Sequence, residues 1–178
     1  PVSITLKKGP VASTSGTFGN QSFVFSILED ITVPVFDGIA TFNDINVYEG
    51  NLLSTNFTFS ARNPFQRFTL PNAGVDTALI SVSIKANEQS TQSVKYSLQD
   101  SLFTVNSDSR VYYLQEIEDE RYELLFGDDI FGKALEEGNF ITVNYITSSG
   151  DSGNGVNTFK FAGRLTYTRN SIEYNVTS

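Results

Sequence analysis

Apolar residues alternate with polar ones along most of this chain, and this period of two restricts what the chain can fold into. A strand sends successive side chains to opposite faces of a sheet, so alternation gives one buried and one solvated face, as in antiparallel sheets. The pattern is plainest in segments 2–6, 23–27, 80–84 and 172–176. Helical spacing of apolar residues never persists beyond about one turn. We therefore predict an all-β protein with an antiparallel, β-sandwich-like architecture.

The composition is that of a globular protein, and it omits the commonest catalytic groups. A chain of 178 residues can bury a self-sufficient core, and 15 Phe with 8 Tyr favour strands. His and Cys are both absent, which removes the commonest general base, the commonest zinc ligand and every thiolate. We expect no enzyme activity, no catalytic residue, no metal site and no cofactor.

Charge and hydropathy exclude two classes of partner. A net charge of −8 leaves no basic surface to displace counterions from phosphate, so we expect no nucleic-acid partner. The apolar runs fall well short of the roughly 20 residues that a spanning helix needs, so we expect no membrane partner. The chain opens at Pro1 without an initiator Met or a signal-peptide pattern, and we expect it to be a piece of a longer polypeptide.

Turn-forming residues divide the sequence into two β subdomains. All five prolines lie at or before Pro71, and the glycine-rich run SGDSGNG at 149–155 is the strongest linker pattern. We place boundaries near residues 62 and 155. The first subdomain is then 1–62, and we expect the strand-like tail 156–178 to return and complete it. The second subdomain is 63–155.

The second subdomain contains a hairpin followed by a glycine-rich corner. We predict strands over Val111–Ile117 and Arg121–Phe126, joined by a short acidic turn. Gly127 is expected to supply a positive φ, and Asp128 to accept hydrogen bonds from amides two residues on. Gly132 is expected to make a second sharp turn.

The corner is expected to lead into another strand. We predict a single helical turn over 133–137, ended by Gly138. Gly138 and Asn139 then open a strand over Phe140–Thr147, with Ile141 and Val143 on one face together with Tyr145.

This block resembles the baseplate wedge and baseplate-J-like proteins of contractile-tailed phages. The matching motifs are YYLQE at 112–116, FGDD at 126–129, GK at 132–133, GN at 138–139 and NG at 154–155. Upstream, SFVFSILEDITVP at 22–34, INVYEGN at 45–51 and RFTLPNAGVDTALISVSI at 67–84 also resemble that family. The chain departs from the family at Asp129, where glycine is usual, and this departure concerns the tightness of the corner.

The resemblance implies a structural virion protein of the tail baseplate, made in the host cytoplasm. Such wedge proteins pair with a second copy of themselves or form a ring, hold other wedge subunits and have no known catalytic task. This chain would be the β-rich part outside the helical, ring-forming core. The alternative is a carbohydrate-binding or adhesin β-sandwich, which would favour Trp platforms and acidic calcium-binding loops.

Four local patterns would fit a ligand-binding or catalytic site. For each of them we favour a purely structural role. The acids at 116 and 118–120 could bind Ca²⁺, but acids at a hairpin tip are usually solvated. Asp128 and Asp129, with Glu123, could form a glycosidase pair, but adjacent corner residues point apart. The segment 127–133 resembles a P-loop but continues with Ala134. Ser152 lacks a His partner.

Aromatic residues near an arginine predict a protein contact. Phe65 and Phe68 flank Arg67 in a loop bracketed by prolines, and Tyr48 is a further aromatic candidate. Aromatic and arginine side chains dominate interface hot spots, although such aromatics also fill cores. We predict that Phe65, Arg67 and Phe68 contact a neighbouring subunit.

Overall fold

The all-β fold is confirmed. A computed structural model describes residues 1–14, 22–101, 104–150 and 155–176, and these form sixteen strands and two short 3-10 turns. The strands are β1 (Ser3–Leu6), β2 (Gly9–Thr14), β3 (Val24–Ile27), β4 (Ile31–Phe36), β5 (Ile39–Ala40), β6 (Tyr48–Glu49), β7 (Asn51–Thr58), β8 (Phe68–Thr69), β9 (Ser81–Lys85), β10 (Ser93–Leu98), β11 (Val111–Ile117), β12 (Arg121–Phe126), β13 (Phe140–Thr147), β14 (Phe159–Phe161), β15 (Leu165–Arg169) and β16 (Ile172–Asn175).

The first of two compact units comprises Pro1–Leu52 and Ser148–Ser178. It holds a five-stranded sheet in the order β16-β15-β1-β4-β5 and a four-stranded sheet in the order β14-β2-β3-β6. The tail strands β14 and β15 pair antiparallel with β2 and β1 respectively. Leu6, Val11 and Ile27 are buried together and bring residues of both sheets into one small core.

The second unit, Leu53–Thr147, is built on a seven-stranded sheet in the order β7-β13-β9-β10-β11-β12-β8. Its alternating segments pair as the sequence pattern indicates, with Val82 opposite Val143 and Ile84 opposite Ile141, all four side chains buried. The pairing of β10 with β11 is parallel, in a sheet whose other described pairings are antiparallel.

Aromatic rings fill the core of the second unit around Phe68. The Phe68 ring meets Phe57 and Phe126 edge-to-face, with centroids 5.5 and 5.3 Å apart. This is the geometry that the quadrupoles of aromatic rings favour. Tyr145 is buried in the same core, and its hydroxyl lies 2.7 Å from Asn72 Oδ1 and 3.0 Å from Thr55 Oγ1, so its burial leaves no polar atom unpaired.

The boundaries between the units lie at Leu52/Leu53 and Thr147/Ser148, where the sequence indicated 62 and 155. The strand β7 explains the first difference, because it is hydrogen-bonded next to β13 in the sheet of the second unit. Strand pairing, and not the proline-bracketed loop after it, therefore sets the division. The glycine-rich run used for the second boundary falls largely on residues 151–154, outside the described residues.

Neighbouring leucines of β12 test this core directly. The side chain of Leu124 is fully buried, whereas Leu125 points to the opposite face and is 42% exposed. Leu124→Ala should lower the free energy of unfolding by about 2–5 kcal/mol, because it leaves a cavity in a packed core. Leu125→Ala should cost less than about 1 kcal/mol. Urea denaturation of both variants measures the difference, and equal losses would contradict this register.

Candidate interaction surface and its glycine corner

The predicted hairpin is formed with the bounds expected from the sequence. Strands β11 and β12 pair from Tyr112 opposite Phe126 to Ile117 opposite Arg121. The turn between them is tight, since Asp119 and Glu120 both adopt positive φ, at 62° and 54°. These acids are exposed to solvent. Within the described ranges, no group of three or more acidic side chains is placed to hold a metal ion.

Gly127 is required at the corner for a reason that the sequence did not reveal. Its φ is not positive, so the expected left-handed role is wrong. A Cβ on Gly127 would instead overlap the backbone carbonyl group of Gly132. The positive φ angles belong to Asp129, at 65°, and to Gly132, at 105°. The two glycines therefore allow two backbone segments to touch, and Asp129 takes the conformation that glycine usually supplies.

The aspartates of the corner bind their own backbone. Asp128 Oδ1 accepts hydrogen bonds from the amides of Ile130 and Phe131, at 3.1 and 2.9 Å. These bonds, led by that from Phe131, lower the pKa of the Asp128 carboxyl because they stabilise its charged form. Asp129 Oδ1 accepts from the amide of Ala134 at 2.9 Å. Both carboxylates act as turn-forming groups.

After the corner, the chain is held by backbone hydrogen bonds to its neighbours. The amide of Lys133 donates to the carbonyl of Ser109 at 2.8 Å, and Gly127 forms a parallel bridge with Ala134. The helical turn expected over 133–137 is wrong, because no helix forms there and Ala134 lies in a β-bridge. A turn closes later, where the amide of Asn139 donates to the carbonyl of Glu136 at 2.9 Å.

Gly138 and Asn139 join the corner to the edge strand β7. Gly138 has a φ of 85°, and its amide donates to the carbonyl of Phe59 at 3.0 Å. The carbonyl of Asn139 accepts from the amide of Phe59 at 2.9 Å. Strand β13 then begins at Phe140, as the sequence predicted.

The three predicted interface residues have three different environments. Phe65 is 87% exposed and is available for a contact. Phe68 is buried at the centre of the aromatic core, so its assignment to an interface is wrong: its ring already packs on Phe57 and Phe126. Arg67 is bound to a carboxylate of its own chain. Tyr48, the other aromatic considered, is partly buried in β6.

Arg67 forms a bidentate ion pair with Glu123. Its Nε donates to Glu123 Oε1 at 2.8 Å, and its Nη2 donates to Oε2 at 2.6 Å. The Glu123 side chain is only 9% exposed, whereas the Arg67 side chain is 61% exposed. The guanidinium hydrogen bonds lower the pKa of the Glu123 carboxyl against the opposing effect of burial. Arg67 is therefore a positioning group for the loop.

Two further side chains fix the loop that carries Phe65. Gln66 Oε1 accepts from the amide of Ser60 at 2.8 Å, and Gln66 Nε2 donates to the carbonyl of Thr58 at 2.7 Å. Glu137 Oε2 accepts from the amide of Ala61 at 2.5 Å. The loop is thus anchored on both sides of Phe65, and the exposed ring is presented from an ordered backbone.

Sequence analysis missed three exposed apolar residues in the hairpin and in the corner that follows it. Leu125, Ile130 and Phe131 all expose much of their side chains. The hydroxyl of Tyr113 donates to the carbonyl of Phe131 at 3.2 Å, which places Phe131 beside the strand that carries Tyr113. The sequence signal for these residues was the adjacent apolar pair at 130–131 in a glycine-bounded loop. Loops run over the surface, where neighbouring apolar side chains indicate an interaction site.

Comparison with known proteins assigns no family. No protein-family model matches the chain, and no curated protein matches it significantly. Across the described part of the chain, none of the helical segments has the length and apolar character required to cross a membrane.

Ser152, considered above as a nucleophile, and Asn154 of the NG motif lie outside the described residues.

The two corner glycines provide a matched pair of substitutions. Gly127→Ala should destabilise the second unit strongly, by about 3 kcal/mol or more, because the new methyl group overlaps backbone that cannot move aside. Gly138→Ala should cost about 1–2 kcal/mol, since the Cβ meets open space and only the left-handed backbone is unfavourable. Thermal and urea unfolding give both values, and an equal or smaller loss at position 127 would refute the close approach.

The buried carboxylate of Glu123 predicts a pH-dependent stability. Because its folded pKa lies below 4.5, the ionised form stabilises the fold above that pH. This contribution should disappear as the pH falls through the folded pKa. The unfolding free energy of the wild type should therefore drop relative to that of Glu123→Gln on acidification from neutral pH.

Urea titrations of both proteins at a series of pH values measure this drop. Arg67→Lys, which keeps the charge but loses the two-pronged geometry, should weaken the pH dependence without abolishing it. A constant difference between wild type and Glu123→Gln at all pH values would show that the pair does not act through ionisation.

Proposed function

We propose that this chain is a structural component of a phage tail baseplate wedge, which holds neighbouring subunits through protein–protein contacts. The observation that carries the proposal is the corner block, where the FGDD, GK and GN motifs of the resemblance fall together. Gly127 and Gly132 bring two backbone segments into contact, and the carboxylates of Asp128 and Asp129 bind backbone amides. Every motif residue with a described role supports the architecture of the chain itself.

A scaffold of this kind works by presenting surfaces at fixed positions. Hydrogen-bonded corners fix the strands before a partner binds. Because less of the surface must then become ordered on binding, less entropy is lost when a partner docks. Phe65 has the properties of such a presented group, because its ring is exposed and its loop is fixed by Gln66 and Glu137. An aromatic ring on an ordered loop is a typical anchor of an interface hot spot.

The roles within the predicted interface therefore change. Phe65 is the contact residue, and Arg67 orients the loop through Glu123. Phe68 anchors the same loop in the aromatic core, where its ring packs on Phe57 and Phe126. The partners in this proposal are other wedge subunits, in a dimer or a ring, and the site of action is the baseplate of a virion assembled in the host cytoplasm.

Labelling of purified particles tests the proposal. Virions from the source of the sequence should contain the chain by mass spectrometry, and a gold-labelled antibody against it should mark the end of the tail distal to the head. A chain that is absent from the particles but binds a glycan array would instead favour the adhesin alternative.

A substitution at Phe65 tests the contact itself. Phe65→Ala should reduce incorporation of the chain into baseplates by about tenfold or more, since hot-spot aromatics contribute at least about 2 kcal/mol. Its thermal unfolding should match the wild type because the ring is exposed. Val2→Ala, at 88% exposure as open to solvent as Phe65 but outside this loop, is the control. Incorporation quantified in assembled particles decides, and undiminished incorporation of Phe65→Ala would exclude the contact.

A further inference from the structure

The segment that follows the glycine corner borders an open cavity of about 140 Å³ in the second unit. Three cationic side chains line this cavity together with one carboxylate: Lys85, Arg110, Lys133 and Glu136. The chain has only 12 lysines and arginines against 20 acids, so a quarter of its cations meet here. Lys133 and Asn139 belong to the GK and GN motifs, and both line the cavity, although the sequence indicated no role for their side chains.

Two of the three cations have no partner of opposite charge. Lys133 Nζ lies 3.2 Å from Glu136 Oε1, whereas Lys85 and Arg110 form no ion pair with any residue that the structure describes. Arg110 is exposed, so its guanidinium is accessible to a ligand. The single carboxylate cannot neutralise three cations, and the cavity therefore carries a local excess of positive charge on an acidic protein.

The hydroxyl of Tyr96 adds a neutral donor to this cavity. Burial raises the pKa of Tyr96, and the charges of Lys133 and Arg110 oppose that effect, so both cations act on the same hydroxyl. The Tyr96 ring meets Phe126 edge-to-face, with centroids 6.2 Å apart. This contact with the aromatic core holds the ring in place, and the hydroxyl group is thereby presented to an anion in the cavity.

The rest of the cavity offers apolar surface for a carbon chain. Ile84 and Val94 both line it, and they lie opposite each other on β9 and β10. Because a water molecule occupies about 30 Å³, the cavity has room for roughly five non-hydrogen atoms. A glutamate side chain is of that size, and it combines methylene groups with a carboxylate. An inorganic anion would leave the apolar lining uncovered.

We propose that this cavity binds a glutamate side chain from an acidic segment of a neighbouring subunit. Arg110 donates two hydrogen bonds to the carboxylate, as its planar guanidinium allows, and Tyr96 donates a third. Lys85 adds a second unpaired charge, while the methylene groups cover Ile84. This inference rests on the proposed function and deepens it, because it specifies the chemistry of a neighbour: an exposed segment with at least one glutamate.

Nuclear magnetic resonance titration of the isotope-labelled, 178-residue chain measures this binding. The probe is the tripeptide Gly-Glu-Gly, acetylated and amidated at its ends so that only the side chain is charged. The backbone amide signals of Arg110, Lys133 and Asn139 should shift with a Kd of about 1 to 10 mM, a range typical of a small ligand in an open site. The neutral peptide Gly-Gln-Gly should bind at least about tenfold more weakly. Equal binding of the two peptides, or no shift with either, would overturn the inference.

Inorganic phosphate distinguishes a glutamate site from a general anion site. Each methylene group that leaves water strengthens binding by about fourfold, and phosphate has none to bury. The glutamate peptide should therefore bind more tightly than phosphate in the same buffer. Tighter binding of phosphate would overturn the assignment to a side chain.

Three substitutions test whether the cavity itself binds the peptide. Arg110→Gln should weaken binding about tenfold, because it removes the principal donor. Arg121→Gln makes the same charge change at the tip of the hairpin, roughly 20 Å away along the strand, and should bind like the wild type. Glu136→Gln should tighten binding about threefold, since it releases Lys133 from its ion pair. Equal weakening in the two arginine variants, or weaker binding in Glu136→Gln, would overturn the inference.

Incorporation into baseplates connects the cavity to assembly. Arg110→Gln should enter purified particles at about a tenth of the wild-type level or less, with thermal unfolding unchanged because the residue is exposed. If this variant loses peptide binding but enters particles normally, the cavity is not a subunit contact, and the proposed function stands. A chain that binds the peptide but is absent from virions would refute the proposed function alone.

Discussion

The register of β12 against its two neighbours is the constraint on which the second unit depends. In this register, Leu124 lies opposite Phe68 and enters the core, while Glu123 lies on the other face. A slip of one residue would exchange the two faces and put a carboxylate among aromatic rings. In the observed register Arg67 also reaches Glu123 with two hydrogen bonds. The ion pair and the core are thus both satisfied by the same alignment.

The glycine corner follows from that alignment. Strand β12 ends at Phe126, so Gly127 is the first residue beyond it and meets Gly132 where the loop returns. Gly132 is confined in turn, since a Cβ there would lie 2.7 Å from Val111 Cγ2 on the neighbouring strand. Gly127 is therefore restricted from within its own loop, whereas Gly132 is restricted by a side chain of β11. The aspartates between them bind the amides that this sharp path leaves without strand partners.

Sequence alone could predict what depends on neighbouring residues in the chain. The alternation in β11, β12 and β13 gave their bounds, because the period of two and the flanking turn residues are local signals. The environment of Arg67 could not be predicted, since its partner Glu123 lies 56 residues away. The same limit explains Phe68, whose burial depends on Phe57 and Phe126. The restriction at Gly127 has a different origin, because it depends on the path by which the loop returns to Gly132, which the residue types in the loop do not specify. An aromatic beside an arginine looks identical in sequence whether it faces a partner or its own core.

The loop that carries Phe65 separates stability from binding, and this separation suits a scaffold protein. Arg67, Gln66 and Glu137 fix the loop by contacts within the chain, whereas the ring of Phe65 contributes almost nothing to the fold because it is exposed. A partner that covers Phe65 gains apolar burial without disturbing Glu123, whose charge must stay paired. The contact residue can therefore change to suit a different neighbour while the groups that position it stay the same. By contrast, Arg67 cannot be recruited by a partner without leaving a buried carboxylate unpaired, which confines the adaptable part of this surface to the exposed ring.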